Sequence, residues 1–145
     1  MAKSLIVFVL VFVGVFVIDQ NLKTIFLEGF RWYGEYFSLI LTYNKGVAFS
    51  MLSFLEGNLK YIQIALLSGV FLYLVFNKDI FRAYSLPAGM ILGAGCSNLY
   101  DRFIHGGVVD YFYWHKWFSF AVFNFADVMI NISVVIILLL SFRKT

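Results

Sequence analysis

Four long apolar segments divide the chain, each close to the roughly 20 residues that a helix needs to cross a membrane's hydrocarbon core. They predict helices over residues 4–20, 60–77, 84–102 and 123–142. The first segment ends in Asp19-Gln20-Asn21, which is not the small-residue cleavage site of a secretory signal peptide. We therefore predict an uncleaved first helix and an all-α membrane protein with four transmembrane helices in one domain, residues 1–145.

The connection between the first two helices, about residues 24–57, has a different pattern. Residues 30–43 mix aromatic and aliphatic side chains, and Gly34 and Asn44-Lys45-Gly46 are turn signals, so this stretch predicts a short strand or hairpin. Residues 47–55 are apolar but too short to span, which predicts a segment that lies in the membrane interface. A small extracytoplasmic β element therefore joins the predicted helices.

Composition agrees with this reading and excludes several classes of protein. The chain is 62% hydrophobic and only 13% charged, and a soluble domain of this size leaves about a third of its potential surface exposed to water. Its formal charge of +3 is scattered, without the basic stripe that nucleic acid binding needs. Cys96 is the single cysteine, which excludes an internal disulfide and a multi-cysteine metal site, and His105 and His115 lack the spacing of a zinc protease.

Basic residues flank the helices unevenly. Short cytoplasmic segments of membrane proteins are enriched in lysine and arginine. The two chain ends and the short loop 77–83 contain one acid, Asp79, and five basic residues: Lys3, Lys78, Arg82, Arg143 and Lys144. We predict that both termini are cytoplasmic and that the two longer connections lie on the outer face.

Polar residues on the predicted helices raise the free energy of a membrane protein unless they are paired or hydrated, so they are candidates for function. Asp19 and Lys23 are spaced i,i+4 and can pair on one helix face. On the third helix, Gly89 and Gly93 favour close helix packing. At its outer end three residues share one face. These are Asn98, Asp101 and Arg102.

The fourth helix and the segment before it carry two further acids. Asn124, Asp127 and Asn131 form a polar stripe that should face protein and not lipid. Asp110 lies on a short apolar segment of the same outer connection, so Asp110 and Asp127 can meet at one membrane face. Two carboxylates in a poorly hydrated site share a proton and can activate water for peptide hydrolysis.

Spacing alone leaves other interpretations open. Asp110 could cap a turn while Asp127 pairs with Arg102. The chain could also be a small proton-coupled transporter, whose ion sites usually lie near the bilayer midplane in repeats or broken helices. A structural membrane subunit, whose polar stripe only joins helices, is a third possibility.

Five motifs occur in the order typical of one family. They are Asp19-Gln20-x-x-Lys23, Tyr43-Asn44-x-Gly46-x-Ala48-Phe49-Ser50, Asn98-x-x-Asp101-Arg102, Gly107-x-Val109-Asp110-Tyr111 and Phe123-Asn124-x-Ala126-Asp127. With them the chain resembles bacterial lipoprotein signal peptidase, also called signal peptidase II. The joint pattern is highly specific and covers almost the whole chain.

The resemblance implies an intramembrane aspartyl endopeptidase of the bacterial inner membrane. It would cut diacylglyceryl-modified prolipoproteins just before the lipidated cysteine, on the extracytoplasmic face, as a monomer in contact with membrane lipid and without a cofactor or metal. Matching positions make Asp110 and Asp127 the catalytic pair. The residues that line the site and bind substrate would be Asn44, Gly46, Asn98, Arg102, Asn124 and Ala126. The supporting residues would be Asp19, Lys23 and Asp101.

The chain departs from the family pattern at two positions. Ser97 stands where glycine is usual, which we expect to loosen helix packing slightly, and Tyr111 stands where phenylalanine is common. Residues 47–55 and the β element are expected to lie over the site as a lid that excludes water, with Gly46 as its turning point.

Overall fold

The computed structural model describes residues 1–46 and 51–143, with only the backbone of Ser53. The predicted interfacial lid therefore falls partly outside the described residues, since 47–50 are among those left out. The described elements, in chain order, are α1 (Ala2–Leu27), β1 (Trp32–Tyr33), β2 (Phe37–Asn44), a short 3-10 turn (Ser53–Leu55), α2 (Glu56–Phe76), α3 (Lys78–Ile104), β3 (Val108–Trp114) and α4 (Phe125–Phe142).

Three of the helices expose the apolar surface that a membrane requires. Helices α1, α2 and α4 are long and apolar enough to cross it. Their outward side chains include Leu10, Leu66 and Leu139, each about two-thirds exposed. Helix α3 is less hydrophobic and packs against all three others. The fold is therefore a helical bundle in which the most polar helix lies at the centre, away from lipid.

Small residues let α1 lie directly against α3. A side-chain carbon added at Gly89 would come within 2.8 Å of the carbonyl oxygen of Phe8. One added at Gly93 would come within 2.6 Å of the carbonyl oxygen of Phe12. No ordinary contact is that short, so any larger residue would push the helices apart. The close packing predicted for these two glycines is confirmed.

The start of α3 is not one straight helix. The backbone of Tyr84 has non-helical angles, and Pro87 follows three residues later. A proline cannot donate the backbone hydrogen bond of a helix interior and clashes with the preceding turn. The helix therefore has a short first part from Lys78 and a long second part that begins near the start of the predicted segment 84–102.

The β element is a three-stranded antiparallel sheet in the order β1-β2-β3. The first two strands lie within residues 24–57, as predicted, but the third comes from the connection between α3 and α4. In the register of β2 and β3, Thr42 faces Asp110 and Asn44 faces Val108. A strand leaves its backbone hydrogen bonds unpaired unless a partner supplies them, and the β-branched and aromatic residues of β3 suit that role. Helix α1 also extends to Leu27, seven residues beyond its predicted end.

The sheet lies at one end of the bundle and the chain termini at the other. Near the sheet, the ring of Phe26 at the end of α1 stacks on Tyr111 of β3, with centroids 4.1 Å apart. At the opposite end, Phe8 packs in one cluster with Leu74 and Ala88. Consecutive helices therefore run in opposite directions, which places the N-terminal and C-terminal ends on the same side.

Candidate active site

Two aspartates line one cavity where the sheet meets the helices. Asp110 lies on β3, and Asp127 lies in the first turn of α4. The cavity has a volume of about 550 Å³ and extends along α4 past Val128 to Asn131 and Ile132. Most of its lining residues are apolar. The two carboxylates therefore stand at the sheet end of a largely hydrophobic space that reaches into the membrane-spanning part of α4.

Asn124 is fully buried and joins the two aspartates. Its amide nitrogen donates to Oδ1 of Asp110 at 2.8 Å and also contacts Oδ1 of Asn98 at 3.1 Å. Its side-chain oxygen accepts from the backbone N–H of Asp127, so Asn124 is the N-cap of α4. Oδ2 of Asp127 accepts from the backbone N–H of Asn124 at 3.1 Å, which completes a capping box. The start of α4 thus fixes the position of Asp127 relative to Asp110.

Asn98 of α3 holds the other oxygen of Asp127. Its amide nitrogen donates to Oδ1 of Asp127 at 3.1 Å, while its oxygen accepts from Nζ of Lys23 at 2.8 Å. An ammonium group can only donate, so it must face the oxygen of the amide. Lys23 therefore orients Asn98 with its N–H groups toward the carboxylate.

Asp110 is nearly inaccessible to water and lies close to a second acid. Burial, and then the charge of Asp127, raise the pKa of Asp110 to about 7, although hydrogen bonds from Asn44 and Asn124 and the charge of Lys23 act in the other direction. A carboxyl with a pKa near 7 is partly protonated at neutral pH. The pair can therefore hold one proton, which supplies an acid and a base at one place.

A second group of charges lies beneath this pair, and we call it the buried ion cluster: Asp19, Lys23 and Asp101. All three side chains are at most 1% exposed. Nζ of Lys23 lies 2.5 Å from Oδ2 of Asp19 and 2.6 Å from Oδ2 of Asp101. The i,i+4 pairing predicted for Asp19 and Lys23 is confirmed, and Asp101 joins it from α3.

The two carboxylates of the buried ion cluster hold the backbone next to each cavity aspartate. Oδ2 of Asp101 accepts the N–H of Val109, the residue before Asp110, at 3.1 Å. Oδ1 of Asp19 accepts the N–H of Ala126, the residue before Asp127, at 2.8 Å. The cluster therefore anchors both segments that carry the cavity aspartates.

Arg102 approaches the cavity from α3. Its Nε donates to Oε1 of Gln63 on α2 at 3.0 Å, and its Nη2 donates to the carbonyl oxygen of Gly46 at 2.7 Å. The backbone N–H of Gly46 donates to Oδ1 of Asn44 at 3.0 Å. Arg102 therefore links α2, α3 and the turn that follows β2.

Comparison with known proteins agrees with this arrangement. The sequence profile described as Signal peptidase (SPase) II matches residues 11–143. The chain belongs to the signal peptidase II family. A protein named lipoprotein signal peptidase from Sulfurimonas denitrificans is 55% identical over 141 residues, which are 97% of this chain and 91% of that protein. A protein of the same name from Campylobacter jejuni is 60% identical over 88% of this chain and 82% of that protein. Another from Helicobacter pylori is 53% identical over 97% of this chain and 89% of that protein.

Two solved structures of bacterial membrane enzymes, determined by the in meso method at 2.3 and 1.9 Å resolution, have the same fold. Their TM-scores are 0.80 and 0.79, at 24% and 23% sequence identity. The matches cover 99% and 100% of this chain and 90% and 96% of the two solved chains. Family membership and fold together make the chain a membrane-embedded peptidase.

The predicted site residues meet at the sheet end of the bundle, although not all of them line the cavity. Those that do are Asn44, Asn98, Arg102, Asp110 and Asp127. Asn124 is buried behind them, and Ala126 is fully buried, so Ala126 contributes its backbone N–H and no cavity surface. Gly46 takes part through its backbone. The catalytic and substrate-binding roles assigned to these residues stay predictions.

Two glutamines belong to the site: Gln20, which sequence reasoning named only as part of a motif, and Gln63, which it missed. Gln20 donates to Oδ1 of Asp101 and to the hydroxyl of Ser97, each at 2.8 Å, and Gln63 accepts from Arg102. A glutamine on an otherwise apolar span is itself a signal, because an unpaired amide there is costly. Ser97 is fully buried, and its hydroxyl donates to Asp19 at 2.7 Å. Ser97, which stands where glycine is usual in the family pattern, therefore joins the hydrogen bonds of the buried ion cluster.

Two further expectations are corrected. Asn131 does not face protein: it is exposed and lines the cavity, because the groove beside α4 opens there. The alternative pairing of Asp127 with Arg102 is absent from the ion pairs of the described residues, because Arg102 bonds Gln63 and Gly46.

Within residues 1–46 and 51–143 no group of three or more potential ligands could hold a metal, and His115 bonds Ser38.

Proposed function

We propose that this chain removes the signal peptide from diacylglyceryl-modified prolipoproteins by hydrolysing the peptide bond just before the lipidated cysteine. Asp110 and Asp127 are the catalytic pair. The observation that carries the proposal is their common cavity: two carboxylates, held by neutral amides, at the head of an apolar groove along a membrane helix. The relatives named lipoprotein signal peptidase support the same substrate class.

The reaction needs one proton on the pair. The ionised carboxylate takes a proton from a water molecule as that water forms a bond to the scissile carbonyl carbon. The protonated carboxyl gives its proton to the carbonyl oxygen, and a tetrahedral diol results. When the diol collapses, a proton passes to the leaving nitrogen of the cysteine, and the carbon–nitrogen bond breaks. The raised pKa of Asp110 supports a shared proton at neutral pH.

Binding of the lipid explains why the substrate must be modified. Burying an acyl chain in an apolar environment contributes about 0.8 kcal/mol per CH₂ group. The apolar wall beside Asp127, which includes Phe123, Val128 and Ile132, is continuous with the lipid-facing surface of α4. We place the acyl chains along this wall, where they hold the cysteine beside the catalytic pair.

The orientation follows from charge. The bundle end opposite the sheet has Lys3, Lys78, Arg82 and Arg143 near it, and basic residues favour the cytoplasmic side. We therefore place both termini in the cytoplasm and the catalytic pair toward the outer face of the bacterial inner membrane, with the four helices crossing the bilayer. All proposed catalytic residues come from one chain, which supports a monomeric enzyme.

The test is cleavage of a purified diacylglyceryl-modified prolipoprotein, beside the same precursor without lipid. Wild type should cut only the lipidated precursor, and Asp110→Asn and Asp127→Asn should each be folded and at least about 10³-fold slower. Asp79→Asn is the matched control, because Asp79 is exposed in the first turn of α3, at the end of the bundle opposite the sheet. Cleavage by the two Asn variants at the wild-type rate would refute the proposed catalytic pair.

A further inference from the structure

Gln63 is a polar side chain on the inward face of the apolar helix α2, and both ends of its amide are used. Nε2 donates to the backbone carbonyl of Gly95 on α3 at 2.9 Å, and Oε1 accepts from Nε of Arg102 at 3.0 Å. A residue that only joined two helices would need the first bond alone. The second bond reaches an arginine that lines the cavity with Asp110 and Asp127.

The bond to Arg102 fixes more than one atom. The guanidinium group is planar, and a partner at Nε sets the plane in which its other N–H groups point. In that plane Nη2 donates to the carbonyl oxygen of Gly46 at 2.7 Å. Because Nε2 of Gln63 is held at Gly95, the amide presents its oxygen to Arg102 and cannot turn without losing both bonds.

The connection continues to the catalytic pair. The N–H of Gly46 donates to Oδ1 of Asn44 at 3.0 Å, and the side chain of Asn44 is hydrogen-bonded to Asp110. A chain of polar contacts therefore runs from α2 to a catalytic carboxyl through Arg102 and the turn after β2. Of the residues in this series of contacts, only Gln63 lies outside the five family motifs.

We propose that Gln63 is a positioning residue of the peptidase reaction: it holds the guanidinium of Arg102, and so the turn of Asn44 to Gly46, in place beside the catalytic pair. This inference rests on the proposed function, because it assigns Gln63 a part in that reaction. Gln63 itself does not touch the reacting atoms.

Three variants of the purified full-length chain separate this role from simple helix packing. Gln63→Met keeps the length of the side chain and removes both hydrogen bonds. Gln63→Glu keeps an acceptor for Arg102 but removes the donor to Gly95. Ile62→Met, at a lipid-exposed neighbour, is the control for introducing methionine on α2.

On the lipidated precursor, Gln63→Met should lower kcat/KM by about tenfold, as expected for losing a hydrogen bond to a charged group at a half-buried site. Gln63→Glu should stay within about threefold of wild type, and Ile62→Met should be unchanged. If the glutamate variant is as slow as the methionine variant, the bond to Gly95 matters and the positioning role is wrong.

A double-mutant cycle gives the decisive readout. Arg102→Lys removes the Nε group that Gln63 holds, so adding Gln63→Met to Arg102→Lys should change kcat/KM less than about twofold. The same tenfold loss in both backgrounds would overturn the proposal while leaving the proposed function intact. Wild type that cuts no lipidated precursor would instead refute the proposed function, and the role of Gln63 with it.

Discussion

Two pairs of aspartates lie within the same end of this bundle, and their surroundings differ in one respect. Asp19 and Asp101 share an ammonium group, that of Lys23, at contact distance. Asp110 and Asp127 are held by the amides of asparagines. Among the described residues no cation is within ion-pair distance of Asp110, whose burial, followed by the charge of Asp127, raises its pKa to about 7. The neighbouring residues, and not the residue type, separate the anchoring pair from the pair proposed to react.

The two pairs are also connected. Each carboxylate of the buried ion cluster binds the backbone N–H of the residue that precedes a cavity aspartate, through Val109 and Ala126. Lys23 in addition orients Asn98, which donates to Asp127. The cluster thus supports the cavity pair without touching its cavity, and the comparison can be tested by changing one pair at a time.

The largest expected contrast comes from the same substitution in each pair. Asp110→Asn should lower the cleavage rate at least about 10³-fold and change the thermal unfolding midpoint little, because its oxygen still accepts from Asn124. Asp101→Asn should lower the free energy of unfolding by about 2–3 kcal/mol, since its oxygens accept from Lys23, Gln20 and Val109 and an amide cannot accept from all three. Unfolding in detergent and cleavage of lipidated precursor measure the two effects, and equal stability losses would contradict the distinction.

Lys23→Met tests the cation directly. It leaves two fully buried carboxylates without their counter-ion, so the free energy of unfolding should fall by about 3–5 kcal/mol. Lys45→Met is the matched control, because Lys45 pairs with Glu56 at the surface and such a pair contributes no more than about 1 kcal/mol. Similar unfolding midpoints for the two variants would show that Lys23 does not stabilise the cluster.

The cavity pair should make activity depend on pH. With the pKa of Asp110 raised to about 7, the pair loses its shared proton as pH rises through that value, so kcat/KM should fall toward tenfold per unit above it. The folded state also binds more protons than the unfolded state between the ordinary aspartate pKa and about 7. Stability should therefore decrease as pH rises across this window, and Asp110→Asn should remove that decrease. A pH profile of kcat/KM that stays flat from pH 6 to 9 would argue against a shared proton.

The smallest effect is expected at Tyr111, beside the cavity pair. Its hydroxyl accepts from the backbone N–H of Phe125 at the start of α4, at 3.1 Å, while its ring stacks on Phe26. Tyr111→Phe keeps the ring and removes the acceptor, so unfolding should become easier by about 1 kcal/mol. Cleavage should change less than about threefold, and Phe26→Leu, which removes the stacking, serves as the comparison. A Tyr111→Phe enzyme as stable as wild type would show that water replaces the hydroxyl.

Much of the site could be predicted because its residues are locally informative. Asp19 and Lys23 lie one helical turn apart, and Asn124 and Asp127 lie at the capping positions of one helix. Gln63 and Ser97 could not be assigned in the same way. Their partners are 39 and 78 positions away, and no local spacing shows which helices pack together.

The sequence by itself determined the membrane environment, the four helices and the polar residues at their ends, because hydropathy and helical spacing act within one segment. Tertiary structure decided that the third strand comes from the connection between α3 and α4, that α3 lies at the centre, and that Asn131 faces the cavity. It also decided which carboxylates form ion pairs with Lys23. Charge pairing and burial depend on distances between segments remote in the chain, and those distances exist only once the helices are packed.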